Sequence, residues 1–120
     1  MPGYKTLKAF QKAKEVADLI YYASRQFPVE EKYSLTDQIR RSSRSVCASI
    51  AESYRKRKYP AHFVSKLTDS DMENAETEVW LDFAKEYNYL KEVDYRKIYA
   101  LNEEAAKLLQ YMISHPEKFM

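Results

Sequence analysis

The stretch QIRRSSRSVCASIAESYRKRKYP, residues 38–60, carries seven Lys or Arg side chains against a single Glu. It contains no Gly, and its one Pro is the last residue, so no residue within it breaks a helix. The apolar side chains that begin just before it recur at steps of four or seven: Leu35, Ile39, Val46, Ile50 and Tyr54. This spacing predicts one long amphipathic helix with a basic outer face.

Few residues interrupt helices elsewhere in the chain, which has one glycine, Gly3, and four prolines: Pro2, Pro28, Pro60 and Pro116. Asn88 is expected to close a helix in the left-handed conformation, and Asp94 to lie near the start of the next one. We therefore predict one all-α domain, residues 1–120, folded as an up-down-up-down four-helix bundle. Its helices are expected at about 5–26, 35–58, 61–87 and 93–114.

Three of these helices show one apolar stripe each. The second helix is expected to start at Ser34, an N-cap residue, with Asp37 in its first turn. The first stripe is Leu7, Phe10, Ala13, Ala17, Ile20 and Ser24, and the fourth is Ile98, Leu101, Ala105, Leu108 and Met112.

The third helix differs, because its apolar residues Val79, Trp80, Leu81, Phe83 and Ala84 spread around most of its circumference. A helix that is apolar on more than one side is buried on more than one side. One side fills the core of the bundle, and we assign Val79, Trp80 and Phe83 to a contact between subunits. The sequence thus predicts a homo-oligomer.

Composition and cysteine content limit the other possibilities. With 45% hydrophobic and 32% charged residues the chain is typical of a globular protein. No apolar run approaches the roughly 20 residues of a membrane span, and no export signal is visible, so we expect a cytoplasmic protein without a membrane partner. A single cysteine, Cys47, excludes an internal disulfide and is expected to be a small buried residue.

The residue types needed for catalysis do not converge in the sequence. The only histidines, His62 and His115, lie beside predicted helix breaks, and no carboxylate precedes either at the Glu-x-x-His spacing of metal-binding bundles. One glycine near the start cannot form a phosphate-binding loop. We expect no enzymatic activity, no metal and no cofactor.

Charge is unevenly distributed although the net charge is only +2. Residues 34–59 hold seven basic and two acidic residues, and residues 60–90 hold two basic and seven acidic residues. This favours pairing of Arg40, Arg41 and Arg44 with carboxylates, chiefly those of the acidic third helix, in the same subunit or in the next one. Glu52 and Glu76 are the candidates for Arg41. The cluster Arg55, Lys56, Arg57 and Lys58 is expected to be free for RNA or DNA, or to be a solvated helix end that the helix dipole favours.

Two segments resemble a known family: FPVEEKYSLTDQIRRSSRSVCASIAES and, further on, ENAETEVWLDFAKEYNYL. They are similar to the four-helix bundle proteins found as open reading frames in intervening sequences of bacterial 23S ribosomal RNA genes. The resemblance spans residues 7–112, and its matched positions are Phe27, Pro28, Tyr33, Leu35, Gln38, Arg40, Arg41, Ser45, Ile50, Ala51, Glu52, Glu76, Thr77, Trp80, Leu81 and Tyr89. The chain departs from the pattern at Ser49, Ser53 and Asn88, where the family usually has Asn, Gly and Gly.

The resemblance implies a ring of subunits, typically a homopentamer, in a bacterial protein whose biochemical role is not established. Related accessory variability proteins of diversity-generating retroelements bind nucleic acid and the reverse transcriptase, but they are much more basic. We therefore expect a non-enzymatic homo-oligomer that binds RNA or DNA weakly and without sequence preference. The alternative is an assembly scaffold, or a module that binds another protein, with no nucleic-acid partner.

Overall fold

The computed structural model describes residues 3–120, so Met1 and Pro2 lie outside the described part. Its α-helices are α1 (Lys8–Ser24), α2 (Leu35–Arg55), α3 (Pro60–Glu86) and α4 (Glu92–Ser114), and residues 3–120 contain no strand. Each helix packs against two others, with α2 between α1 and α3, and α4 between α3 and α1. The molecule measures 44 × 25 × 24 Å. The expected all-α four-helix architecture is confirmed.

Helix ends differ from the expected ones by a few residues. Short 3₁₀ turns at Tyr4–Thr6, Val29–Glu31 and Pro116–Lys118 occupy parts of the connections. Helix α1 starts at Lys8 rather than near residue 5, and α2 ends at Arg55 rather than near residue 58. The end of α2 has a clear local cause. Here the Lys56 amide donates to Ser53 O (2.9 Å), and the chain turns before Pro60. The residue before a proline avoids the helical region, so the chain cannot remain helical through Tyr59.

Asn88 adopts the left-handed conformation expected from the sequence, with φ 62°. The amides of the two following residues, Tyr89 and Leu90, both donate to Ala84 O, which closes the last turn of α3. Asp94 lies in the first turn of α4, also as expected. The α3–α4 connection is therefore short and tightly bonded.

Helix α2 begins after Ser34, as expected, but the Ser34 side chain does not cap it. Glu31 does so instead: its Oε1 accepts the Leu35 amide at 3.2 Å and the Ser34 hydroxyl. Its Oε2 accepts the Tyr89 hydroxyl at 2.9 Å. One carboxylate thus joins the α1–α2 connection to the α3–α4 connection, a contact that sequence spacing does not indicate.

The core contains two apolar clusters at opposite ends of the bundle. One comprises Ala9, Ala13, Val46, Ile50, Phe63, Leu67, Leu109 and Met112. The other comprises Val16, Ile20, Leu35, Ile39, Leu81, Ala84, Leu90 and Ile98. Small or amide side chains fill the level between them, where buried Asn74 and Asn102 exchange hydrogen bonds, with Asn74 Nδ2 donating to Asn102 Oδ1 at 3.0 Å.

Buried hydroxyls form the contact between α2 and α3. Ser70 donates to Val46 O of α2 at 2.9 Å, and Thr77 Oγ1 lies 2.9 Å from Ser42 Oγ. Because the partner of Ser70 follows that of Thr77 along α2, the two helices run in opposite directions. We call this set of contacts, Ser42, Val46, Ser70 and Thr77, the hydroxyl seam.

Glu31 gives the fold a specific dependence on pH. Hydrogen bonds from Ser34, Tyr89 and the Leu35 amide lower the pKa of its carboxyl below the ordinary value of 4.5. A depressed folded-state pKa contributes stability above the unfolded-state value that is lost as pH falls through the lowered pKa. We expect Glu31→Gln to lower the thermal midpoint at about pH 7, and the difference from wild type to shrink below about pH 4.5.

Thermal unfolding followed by circular dichroism measures this dependence. Glu30→Gln is the matched control, because the exposed Glu30 side chain makes none of these bonds. Equal midpoints for the two variants at every pH would remove the role assigned to Glu31.

Candidate functional site

The basic residues of α2 and of the turn that follows it form two groups on the molecular surface. Arg55 is the last residue of α2, and residues 56–58 form the turn that leads to α3. Arg55, Lys56 and Lys58 are exposed and Arg57 is half-buried. Within residues 3–120 none of the four has a carboxylate within 4.0 Å. We call residues 55–58 the basic turn.

Aromatic rings accompany the basic turn. Arg57 Nε donates to Tyr54 O at 2.8 Å, and the guanidinium lies 3.6 Å from the centre of the Tyr54 ring. This contact fixes one cation over one ring. A shallow groove passes beside them, lined by Gly3, Tyr4, Tyr54, Arg55, Arg57, Lys58 and Met120. Tyr59 follows the turn and is exposed.

Arg40 and Arg44 lie on the opposite half of α2 and face α1 rather than the acidic α3. Arg40 Nε donates to the buried Ser24 hydroxyl at 2.8 Å. The two guanidiniums lie 5.1 and 5.9 Å from the centre of the Tyr21 ring. Within one chain, therefore, they do not make the carboxylate pairs expected from the sequence, because an aromatic ring and a hydroxyl of α1 occupy that side of the helix.

Arg41 points to the other side, toward α3. Its terminal nitrogen lies 3.8 Å from Glu76 Oε1 and donates to Gln38 Oε1 at 2.8 Å. The two charged side chains are 53% and 35% exposed, so the pair contributes only about 0–1 kcal/mol to stability. Glu52, the other candidate partner, lies 3.4 Å from Lys66 instead.

An open groove runs along the outer face of α2 above these arginines. Four cations and one carboxylate are among the nine residues that line it. These residues are Lys32, Tyr33, Thr36, Asp37, Arg40, Arg41, Arg44, Ser45 and Ala48. Tyr33 and Ala48 are exposed and supply apolar surface. We call these nine residues the α2 groove.

Acidic side chains of α3 divide between inward and outward positions. Glu73 lies beside Glu76, and burial, then the hydrogen bond and negative charge of Glu76, raise the pKa of the Glu73 carboxyl, while Arg41 opposes this effect. On the side toward α4, Asp82 accepts the Tyr95 hydroxyl at 2.6 Å. Glu76 and Glu86 remain on the outer side.

Apolar side chains also remain on the outer side of α3. Met72, Val79 and Phe83 are exposed, Val79 by 48% and Phe83 by 38%. Trp80 is half-buried and packs against the core cluster that contains Leu81, and its buried Nε1 has no hydrogen-bond partner within the described residues. Of the three residues assigned to a subunit contact, Val79 and Phe83 are therefore the outward ones. We call Met72, Glu76, Val79, Phe83 and Glu86 the α3 stripe.

The histidines and the cysteine do not form a cluster. The His115 ring stacks on Tyr111 at 4.3 Å, and the His62 ring meets the edge of Tyr59 at 6.0 Å. Burial raises the pKa of the half-buried Cys47 thiol to about 11. Among residues 3–120 no group of three or more His, Cys, Asp or Glu side chains is placed to hold a metal ion. Nor does this part of the chain include a helix long and apolar enough to cross a membrane.

Comparisons with known proteins bear on the family. The chain matches no curated protein. It is similar to a crystal structure, at 1.70 Å resolution, of a protein of unknown function from the S23 ribosomal protein family of Bacteroides thetaiotaomicron VPI-5482, with 29% sequence identity and a TM-score of 0.78. The similarity covers 88% of this chain and 95% of the other. The sequence model described as 23S rRNA-intervening sequence protein matches residues 5–111, nearly the whole chain. The chain therefore belongs to the family of 23S rRNA-intervening sequence proteins.

Proposed function

We propose that the chain is a non-enzymatic subunit of a homo-oligomeric ring, five copies being the number that the family resemblance implies, and that it binds RNA or DNA without sequence preference. The observation that supports binding is the basic turn, four adjacent cations with no carboxylate within 4.0 Å among the described residues. Lys and Arg side chains neutralise phosphates, and neighbouring aromatic rings such as Tyr59 stack on bases of any identity.

Repetition of the basic turn would compensate for the small charge of one subunit. Each chain carries a net charge of only +2, which gives weak attraction to a polyanion. In a ring, each further copy meets the same strand at a high effective concentration. Lys and Arg side chains beside aromatic rings bind phosphates, and no histidine or carboxylate lies among residues 55–58 to act as a general base. This is why we propose binding rather than catalysis.

A second function, an assembly scaffold or protein-interaction module without a nucleic-acid partner, is favoured by a different observation. The α3 stripe exposes Val79 and Phe83 together with Met72, and exposed apolar groups of this size mark protein contacts. Both functions require self-association or a protein partner. They differ only in whether the basic turn has a ligand.

Self-association is expected to give a single species whose mass is a multiple of 14.2 kDa, five-fold for a pentamer, in light scattering coupled to gel filtration. Phe83→Ala and Val79→Ala remove apolar contact area and should each raise the dissociation constant by about tenfold or more. Val93→Ala is the matched control, since Val93 is 72% exposed and belongs to α4 rather than to the stripe. A wild-type protein that stays near 14.2 kDa at every concentration would contradict the proposed assembly.

Nucleic-acid binding is tested by fluorescence anisotropy with labelled single-stranded and duplex RNA and DNA. We expect similar affinities for unrelated sequences and a steep loss between about 50 and 200 mM salt. Replacing Arg55, Lys56 and Lys58 by Ala should abolish most of the binding, and Arg57 is kept because it contacts Tyr54.

The control for this variant replaces Lys91, Lys97 and Lys107, three exposed lysines elsewhere on the surface, by Ala. It removes the same charge without touching the basic turn. If wild type does not bind at low salt, or both triple variants lose affinity equally, the scaffold function replaces the nucleic-acid one.

A further inference from the structure

We infer that the α2 groove of one subunit receives the α3 stripe of a second copy, so that the two surfaces form a head-to-tail interface. This inference rests on the proposed homo-oligomer and names the surfaces that would build it. The occupant of the groove is thus another copy of this chain, and the occupying element is the outer face of α3.

Charge favours this pairing over the two symmetric alternatives, in which a groove faces a groove or a stripe faces a stripe. The α2 groove presents Lys32, Arg40, Arg41 and Arg44 against a single acidic residue, Asp37. The α3 stripe carries no cation and two carboxylates: Glu86, and Glu76, which lies 3.8 Å from Arg41 of its own chain. A groove facing a groove brings arginines together, and a stripe facing a stripe brings glutamates together, and both arrangements place like charges in contact. Only the groove facing the stripe brings opposite charges together.

The cations of α3 do not disturb this complementarity, because both are engaged elsewhere. Lys66 lies 3.4 Å from Glu52 and 3.9 Å from Asp69. Lys85 lies 3.5 Å from Glu92 of α4. The outward part of α3 around Val79 is therefore left with acidic and apolar groups alone.

Arg40 and Arg44 are available to pair with carboxylates of a second chain. Within the described residues they have no carboxylate within 4.0 Å, and Tyr21 holds both guanidiniums at the edge of the groove. Guanidiniums held on an aromatic face need little reordering to meet a carboxylate. The apolar contacts are matched as well, since exposed Tyr33 and Ala48 can cover Val79 and Phe83 of the other copy.

Bundle geometry fixes the kind of assembly that this contact produces. Helices α2 and α3 are neighbours in the bundle, and the α2 groove and the α3 stripe are different faces of one subunit. A contact between two different faces repeats from copy to copy instead of closing on itself as a two-fold dimer does. Such a contact builds a closed ring when the rotation from copy to copy closes, and it leaves the basic turn, at the end of α2, outside the groove.

A mixing experiment tests the interface. The groove-blocked variant, Arg44→Glu with Ala48→Glu, places negative charge where the partner's carboxylates are expected. The stripe-blocked variant, Val79→Lys with Phe83→Lys, places positive charge opposite the arginines. Both pairs of positions are solvent-exposed, so each subunit should keep its fold, which circular dichroism and the thermal midpoint check. Should Phe83→Lys impair folding, Val79→Lys alone serves in its place.

Each blocked variant alone should self-associate at least about a hundredfold more weakly than wild type. Mixed in equal amounts, they should form a one-to-one heterodimer in native mass spectrometry, because one intact groove still meets one intact stripe. The control Lys97→Glu with Gln110→Glu makes the same charge change as the groove-blocked variant, on exposed positions of α4, and should assemble as wild type does.

Other outcomes overturn the inference in distinguishable ways. If wild type is monomeric, the proposed assembly fails and the interface with it. If wild type assembles and the groove-blocked variant assembles equally well, the oligomer stands and the α2 groove is not its interface. If both variants are monomeric and their mixture forms no heterodimer, an intact groove does not bind an intact stripe and the head-to-tail pairing is wrong.

Discussion

The hydroxyl seam between α2 and α3 is the contact that determines which side chains of both helices face outward. Ser42, Ser70 and Thr77 are buried and small, and their hydroxyls bond to one another or to helix carbonyls. Two helices that meet through such residues approach closely and leave no room for large side chains between them. The larger groups of α3 are displaced to either side, into the core at Leu81 or to the surface at Val79 and Phe83.

The same contact explains the two roles that we assign to α2. With its serine face against α3 and its apolar face in the core, the helix keeps a basic face toward solvent along its length. In the first half, Tyr21 holds the arginines at the edge of a groove that suits an acidic helix. After Arg55 the chain leaves the helix, and the basic turn projects beyond the groove. One basic helix can therefore serve both self-association and polyanion binding through separate residues.

Sequence reasoning predicted the helices and their breaks because these depend on local rules, as Pro60 and the left-handed Asn88 show. It missed the inner polar contacts, since Ser70 and Asn74 read as surface residues in any hydrophobic pattern, and their partners lie on other helices. Glu31 was missed for the same reason, because Tyr89, one of its donors, is 58 residues away in the chain. At the candidate site, the cluster of residues 55–58 could be read directly from the sequence. The contacts of Arg40 and Arg44 with α1 depend on how α1 and α2 pack, which no local spacing encodes.

The central claim is that self-association covers the arginines in the first half of α2 and leaves the basic turn open. Modification of arginines by phenylglyoxal, quantified peptide by peptide as the protein is diluted through its dissociation range, tests both parts of this claim in one sample. The account predicts that Arg44 is protected at high protein concentration and becomes reactive on dilution, while Arg55 reacts at the same rate throughout. Equal reactivity of Arg44 at all concentrations in an assembled protein, or protection of Arg55, would contradict it.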